Sequence, residues 1–135
     1  MNGSTRQRSI VLILARDLAS TLATPVLLVD AEGAVVFYND AAGELLGRAF
    51  VEAQTMTREA WASAFEPMDE EGAPIESDEM PLGIALSERR PVHRVFTIRG
   101  GGARRRIEVT AFPLYASADE LVGGMAVFWG NGEGS

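Results

Sequence analysis

Two rhythms of apolar and polar positions run along this chain. From residue 9 to 24 the spacing is helical, with Val11, Leu14, Ala15, Leu18 and Leu22 on one face. Ile10, Leu12 and Ile13 spread apolar surface around the first two turns, so this helix needs more than one covering surface. Ser9 is placed to cap it, and Pro25 stops it beyond Thr24. Residues 1–8 are polar and are expected to form a disordered tail.

From residue 26 the rhythm changes. Leu27, Leu28 and Val29 form a short apolar run, followed by Asp30-Ala31-Glu32-Gly33, a turn in which Gly33 takes positive φ without a Cβ clash. Residues 35–38 are a second β-rich run. Asn39 and Asp40 then offer side-chain acceptors for the first amides of a helix. Ala41, Leu45 and Leu46 share one face of that helix, and Gly47 closes it.

Phe50, Met56, Trp61 and Phe65 are spaced as in short helices, and residues 66–74 form an acidic loop marked by Pro and Gly. Ser77 or Asp78 is expected to cap a helix running to Leu86, with Pro81 in its first turn and Met80, Ile84 and Ala85 facing inward. Residues 91–98, 105–114 and 122–129 read as a three-strand meander. Gly100, Gly101 and Gly102 make its first hairpin and residues 116–120 its second, and residues 131–135 are a flexible tail. No internal repeat is apparent.

The order hydrophobic–DxxGxxxxxN–A–LLG within residues 26–48 resembles the opening of a PAS domain, the small sensory α+β module of bacterial signalling proteins. ESDEMPLGIALSERRPVHRVFTI resembles the helix-then-strand passage of bacterial PAS sensors, and RRRIEVTAFPLYASADELVGGMAVF resembles their closing hairpin. The resemblance spans roughly residues 17–130. It implies an antiparallel sheet with helices on one face, a PAS domain over residues 25–130 and a flanking helix over residues 9–24. It also implies sensing and dimerisation rather than catalysis.

Composition narrows the chemistry. Net charge is −7, a poor match to nucleic acid. The apolar run at residues 10–15 is too short, and too soon followed by Arg16 and Asp17, to export the chain or span a membrane. Cytoplasmic location is expected. With no cysteine there is no disulfide, thiolate metal site or cysteine nucleophile. Flavin-binding relatives of PAS domains carry a cysteine in an Asn-Cys-Arg-Phe motif and asparagines on the central strands. This chain has neither, since Ile107 and Val109 stand on its strand. His93, the single histidine, opens a strand instead of occupying the helix position expected of a haem ligand. No cofactor is expected.

The acidic cluster Glu66, Asp69, Glu70, Glu71, Glu76, Asp78 and Glu79 lacks metal-ligand spacing and reads as a solvated loop. Arg99, Arg104, Arg105 and Arg106 read as a solvated basic turn. Tyr38 and Asp40 are the nearest pair for a cavity enzyme of ketosteroid-isomerase-like shape, the rival reading. A buried Asp or Glu in the cavity would favour that rival.

Alternation along the strands places Ile107, Val109 and Ala111 toward the internal cavity implied by the resemblance. Val95, Thr97 and Phe128 are expected beside them, with Met80 and Ile84 opposite; these eight residues are the expected ligand site. Phe112, Met125, Val127 and Trp129 fall on the outer face, an apolar patch that must be covered. The N-terminal helix is expected to cover it with Leu14, Leu18 and Leu22, leaving Ile10 and Ile13 for a second copy. The expected dimer interface is therefore Ile10, Ile13, Leu14, Phe112, Met125, Val127 and Trp129. A separate signalling partner would receive the output.

Overall fold

Five antiparallel strands in the order β2-β1-β5-β4-β3 divide the protein into an inner, helix-covered side and an outer side. The computed structural model describes residues 2–47, 56–100, 102–117 and 119–130. The strands are β1 (Val26–Asp30), β2 (Val35–Tyr38), β3 (Val92–Gly100), β4 (Ala103–Tyr115) and β5 (Leu121–Gly130). The helices are α1 (Asn2–Ser20), α2 (Asp40–Leu46), α3 (Arg58–Phe65) and α4 (Pro81–Glu88). Phe50 and the tail at residues 131–135 lie outside the described residues.

The β1–β2–α2 unit follows the local chemistry of its sequence. Asp30 Oδ1 accepts from the amides of Glu32 and Ala34, and Gly33 has φ of 88°. Asn39 caps α2 by accepting from the Ala42 amide, and Gly47 ends it in the left-handed conformation. The same turn recurs in the acidic loop. Asp69 Oδ1 accepts from Glu71 and Ala73, and Gly72 has φ of 89°. The pattern D-x-E-G-A thus occurs twice, a repeat that sequence reading overlooked.

The helices depart from expectation at their ends. α1 begins at Asn2, ahead of Ser9, because Arg6, Gln7 and Arg8 are good helix formers. It ends at Ser20, well before Pro25, where the amides of Thr21 and Leu22 tighten onto the Leu18 and Ala19 carbonyls. α4 starts at Pro81, not Ser77 or Asp78. A residue preceding proline avoids helical backbone, so Met80 is extended at ψ 154° and Ser77–Glu79 forms a separate 3-10 turn.

The inner core gathers Leu27, Val29, Leu46, Phe96, Ile107, Val109 and Phe128 among others. A second cluster lies on the outer face, where Val26, Leu28 and Met125 meet Ala19, with Ala15, Phe112, Leu114 and Val127 packed alongside. α1 therefore covers the sheet with small residues. Leu14, Leu18 and Leu22 point outward at 60%, 56% and 40% exposure, contrary to the expected stripe. Ala15 and Ala19 lie about 100° around the helix from Leu14 and Leu18, and they let the backbone approach the sheet closely. Arg16 completes the docking by stacking on the Phe37 ring, 4.6 Å from its centroid.

Candidate functional site

Between the inner sheet face and the helices lies a cavity of about 70 Å³. β1 contributes Leu27 and Val29, β4 contributes Ile107 and Val109, and β5 contributes Ala126 and Phe128. Leu46 of α2, Trp61 of α3, and Met80, Pro81, Leu82 and Leu86 close the other side. Gly33, at the first D-x-E-G-A turn, sits on the rim.

Of the eight residues expected at the site, Met80, Ile107, Val109 and Phe128 line this cavity. Ala111 is fully buried in the same core without lining it, and Ile84 packs against that core from α4. Val95 and Thr97 lie on the opposite face. Gly100 pairs with Ala103, which sets Phe96 against Ile107, Val95 against Glu108 and Thr97 against Arg106. Three consecutive glycines left the hairpin length open, and a shift of one residue exchanges the faces. Phe96 takes the inward position, while the Thr97 backbone pairs with Met68 on the free edge of β3. Sequence reading also missed the two β1 residues and Trp61, whose position in a run of spaced apolar residues was its only signal.

Among the described residues the lining is apolar apart from Ser77 and Trp61. Trp61 Nε1 is buried without a hydrogen-bond partner among the described residues. Such an orphan donor costs about 1–3 kcal/mol. Among the described residues, no Asp, Glu, Lys, Arg or His lines the cavity. Tyr38 and Asp40, the candidate catalytic pair, do not line it either, and Asp40 is exposed at the start of α2. His93 sits on the outer face, with Nδ1 2.9 Å from Thr110 Oγ1 and Nε2 2.8 Å from Glu108 Oε2.

Asn39 links the site to α1. It is 4% exposed, and its Oδ1 accepts from Val26 N as well as from Ala42 N. Its Nδ2 donates to the Ala19 and Thr24 carbonyls at 2.9 Å, with the Leu22 carbonyl at 3.4 Å. One side chain thus holds the end of α1, the start of β1 and the start of α2.

The two charge clusters that read as separate solvated segments meet each other. Arg106 pairs with Glu70 at 2.7 Å and Arg99 with Glu66 at 3.5 Å, while the Arg104 guanidinium donates to the Glu66 carbonyl. The four paired side chains are about half exposed, so each pair contributes at most about 1 kcal/mol. Glu70→Gln is accordingly expected to shift stability by less than about 1 kcal/mol in urea unfolding, with the difference vanishing at high salt.

Residues 20–129 match the family described as the PAS fold. The chain belongs to the PAS-fold family. Solved structures share the architecture of this PAS domain. The PAS domain of BvgS from Bordetella pertussis is 21% identical, with a TM-score of 0.61 over 90% of this chain and 86% of that one. The LOV protein of Rhodobacter sphaeroides is 15% identical, with a TM-score of 0.67 over 94% of this chain and 68% of that one. The phage VqmA–DPO complex is 13% identical, with a TM-score of 0.63 over 93% of this chain and 55% of that one. A search of curated protein sequences finds no significant match. PAS domains are sensory and regulatory signalling modules, typically not catalytic. No helix among the described residues is long and apolar enough to cross a membrane.

Proposed function

We propose that this PAS domain is a cytoplasmic, homodimeric sensor that takes a small, mostly apolar ligand into the cavity and reports occupancy through α1. The observation that carries this reading is the double duty of β1. Leu27 and Val29 line the cavity, while Val26 and Leu28, on the opposite face of the same strand, pack against Ala19 of α1. A ligand that displaces β1 moves the surface on which α1 rests, and Asn39 ties the two together. The rival enzyme reading lacks support, since among the described residues the lining holds no carboxylate or imidazole for acid–base work.

The output surface is the outward face of α1. Ile10, Ile13, Leu14 and Leu18 of α1, with Leu22 just past its end, are all at least 40% exposed. A second copy presents the same stripe, and two-fold pairing buries both. Ile10, Ile13 and Leu14 belong to this surface, with Trp129 exposed near the end of the central strand β5. Met125 instead lies beneath α1 of its own chain, and Phe112 and Val127 pack beside it, half-buried. The interface should bury more than about 1,000 Å² in total. A separate signalling protein would read the resulting change in the dimer.

Native mass spectrometry with sedimentation tests this reading. The wild-type chain is expected to be dimeric at micromolar concentration and to carry a small bound mass. The double variant Leu14→Glu, Leu18→Glu is expected to be a folded monomer, because neither side chain packs in the core. A monomeric wild type, or an undiminished dimer in the variant, would remove α1 as the interface.

A further inference from the structure

We infer that residues 56–68 form a strap over the cavity, fastened to both edges of the sheet, and that the strap opens at its β2 end to admit the ligand. The entry route rests on the cavity-binding reading above; the opening itself does not. β2 and β3 are the two edge strands of the sheet. Met56 bridges to Val35 of β2, its carbonyl accepting from the Val35 amide at 2.8 Å. Met68 bridges to Thr97 of β3, with a backbone hydrogen bond in each direction, at 2.9 and 3.0 Å. α3 runs between these two fastenings and brings Trp61 to the cavity wall.

The two ends are held unequally. At the β3 end Phe65 and Pro67 are buried, and the Pro67 carbonyl accepts from the Ile75 amide. The Arg104 guanidinium donates to the Glu66 carbonyl there, and Arg99 reaches the Glu66 carboxylate at 3.5 Å. At the β2 end, among the described residues, one backbone hydrogen bond makes the fastening, and Met56 and Trp61 are half-buried. Local opening begins where little apolar surface is buried and few hydrogen bonds must break. Among the described residues the other walls show no such seam. The sheet is paired from β2 to β3, and Asn39 pins α2 to β1. α4 lies so close to the 3-10 turn that a Cβ on Gly83 would sit 2.8 Å from the Ser77 carbonyl oxygen. Swinging the strap away from β2 uncovers Gly33 and Val35, which line the cavity on that side.

Two amides report the two fastenings directly, because Val35 N–H is bonded to Met56 and Thr97 N–H to Met68. In native-state hydrogen exchange of the full chain, Val35 is expected to exchange at least about tenfold faster than Thr97, after correction for intrinsic rates. A disulfide tests the route. The chain has no cysteine, so Val35→Cys with Met56→Cys, bridge partners at a spacing a disulfide can span, gives one defined staple. Butanone is the probe, titrated into the ¹⁵N-labelled protein and followed at the Ile107 and Val109 amides. The oxidised staple is expected to slow butanone association and release together, by at least about tenfold relative to its own reduced form, and to leave the affinity within about twofold. The staple at the other fastening, Met68→Cys with Thr97→Cys, should leave both rates within about twofold. Val35 exchange no faster than that of Thr97 overturns the opening, whatever binds. Unchanged butanone rates with the β2 staple, or an equal slowing by the β3 staple, overturn the entry route while cavity binding stands. Butanone that leaves both cavity amides of the wild type unmoved overturns the cavity-binding reading and the route together, and the Val35 and Thr97 exchange then decides the opening alone. Should the β2 staple fail to fold, the wild-type opening rate, read from Val35 exchange at high pH, is compared with butanone release: release faster than opening overturns the route.

Discussion

Asn39→Ala is expected to lose about 3 kcal/mol of stability, measured by the urea midpoint at constant m. The side chain fills all of its hydrogen-bonding capacity across three elements. Alanine removes the cap of α2, a loss of about 1 kcal/mol. It also leaves the Val26 amide, in a residue with 0% exposure, without a partner, while the Ala19 carbonyl keeps the Leu22 amide. Such an orphan costs about 1–3 kcal/mol. Against a total of about 5–15 kcal/mol for an ordinary domain, little stability would remain. Asn39→Asp separates the two halves of the effect. A carboxylate still accepts from Val26 and Ala42, but it cannot donate to the Ala19 and Thr24 carbonyls and repels them instead. Hydrogen exchange in this variant should show α1 losing protection before the sheet does. A loss below about 1.5 kcal/mol in Asn39→Ala would mean that water replaces the side chain and that α1 is held by its apolar contacts alone.

That residue also marks where the sequence is legible. Asn39, Gly33 and Gly47 act within a few residues of themselves, so turn and cap chemistry predicted the β1–β2–α2 unit, with β2 at its observed limits. The second role of Asn39, gripping carbonyls 15 to 20 residues away, leaves no local trace. The face of β3 was misread for a related reason. Alternation within β4 correctly put Ile107, Val109 and Ala111 inside, but transferring that face to β3 required the hairpin length, which Gly100, Gly101 and Gly102 do not declare. The rotation of α1 depends on which stripe meets the sheet. A hydrophobicity pattern favours the large residues Leu14 and Leu18, whereas close approach favours Ala15 and Ala19. The pairing of Arg106 with Glu70 was hidden because each charge run was weighed alone. The repeated D-x-E-G-A turn, by contrast, was fully readable from the chain.

Gly123→Ala is expected to abolish stable folding, while Gly124→Ala should cost only about 1 kcal/mol. The two glycines are neighbours on β5 and face opposite sides of the sheet. Gly123 stands between Asp30 of β1 and Leu114 of β4. A Cβ there would lie 2.2 Å from the Val29 carbonyl oxygen and 3.3 Å from Asp30 Cα, both backbone atoms. Neither can move without breaking the β1–β5 ladder, which holds the centre of the sheet together. Overpacking ordinarily costs about 1–3 kcal/mol, and a clash with immobile backbone exceeds that range. At Gly124 the nearest atom is Leu82 Cδ2 at 2.9 Å, followed by the Phe112 carbonyl oxygen at 3.3 Å and Leu86 Cδ2 at 3.4 Å. The two leucine ends can rotate away, at the expense of the cavity they line. Gly124→Ala should therefore remain folded and bind a small neutral probe such as butanone more weakly than the wild type, as read from the shifts of the ¹⁵N-labelled Ile107 and Val109 amides. Circular dichroism and urea unfolding of the two variants decide the point. A folded Gly123→Ala with near-native stability would mean that β1 can slide away from β5, and then β1 could not serve as the rigid wall that carries a signal from the cavity to α1.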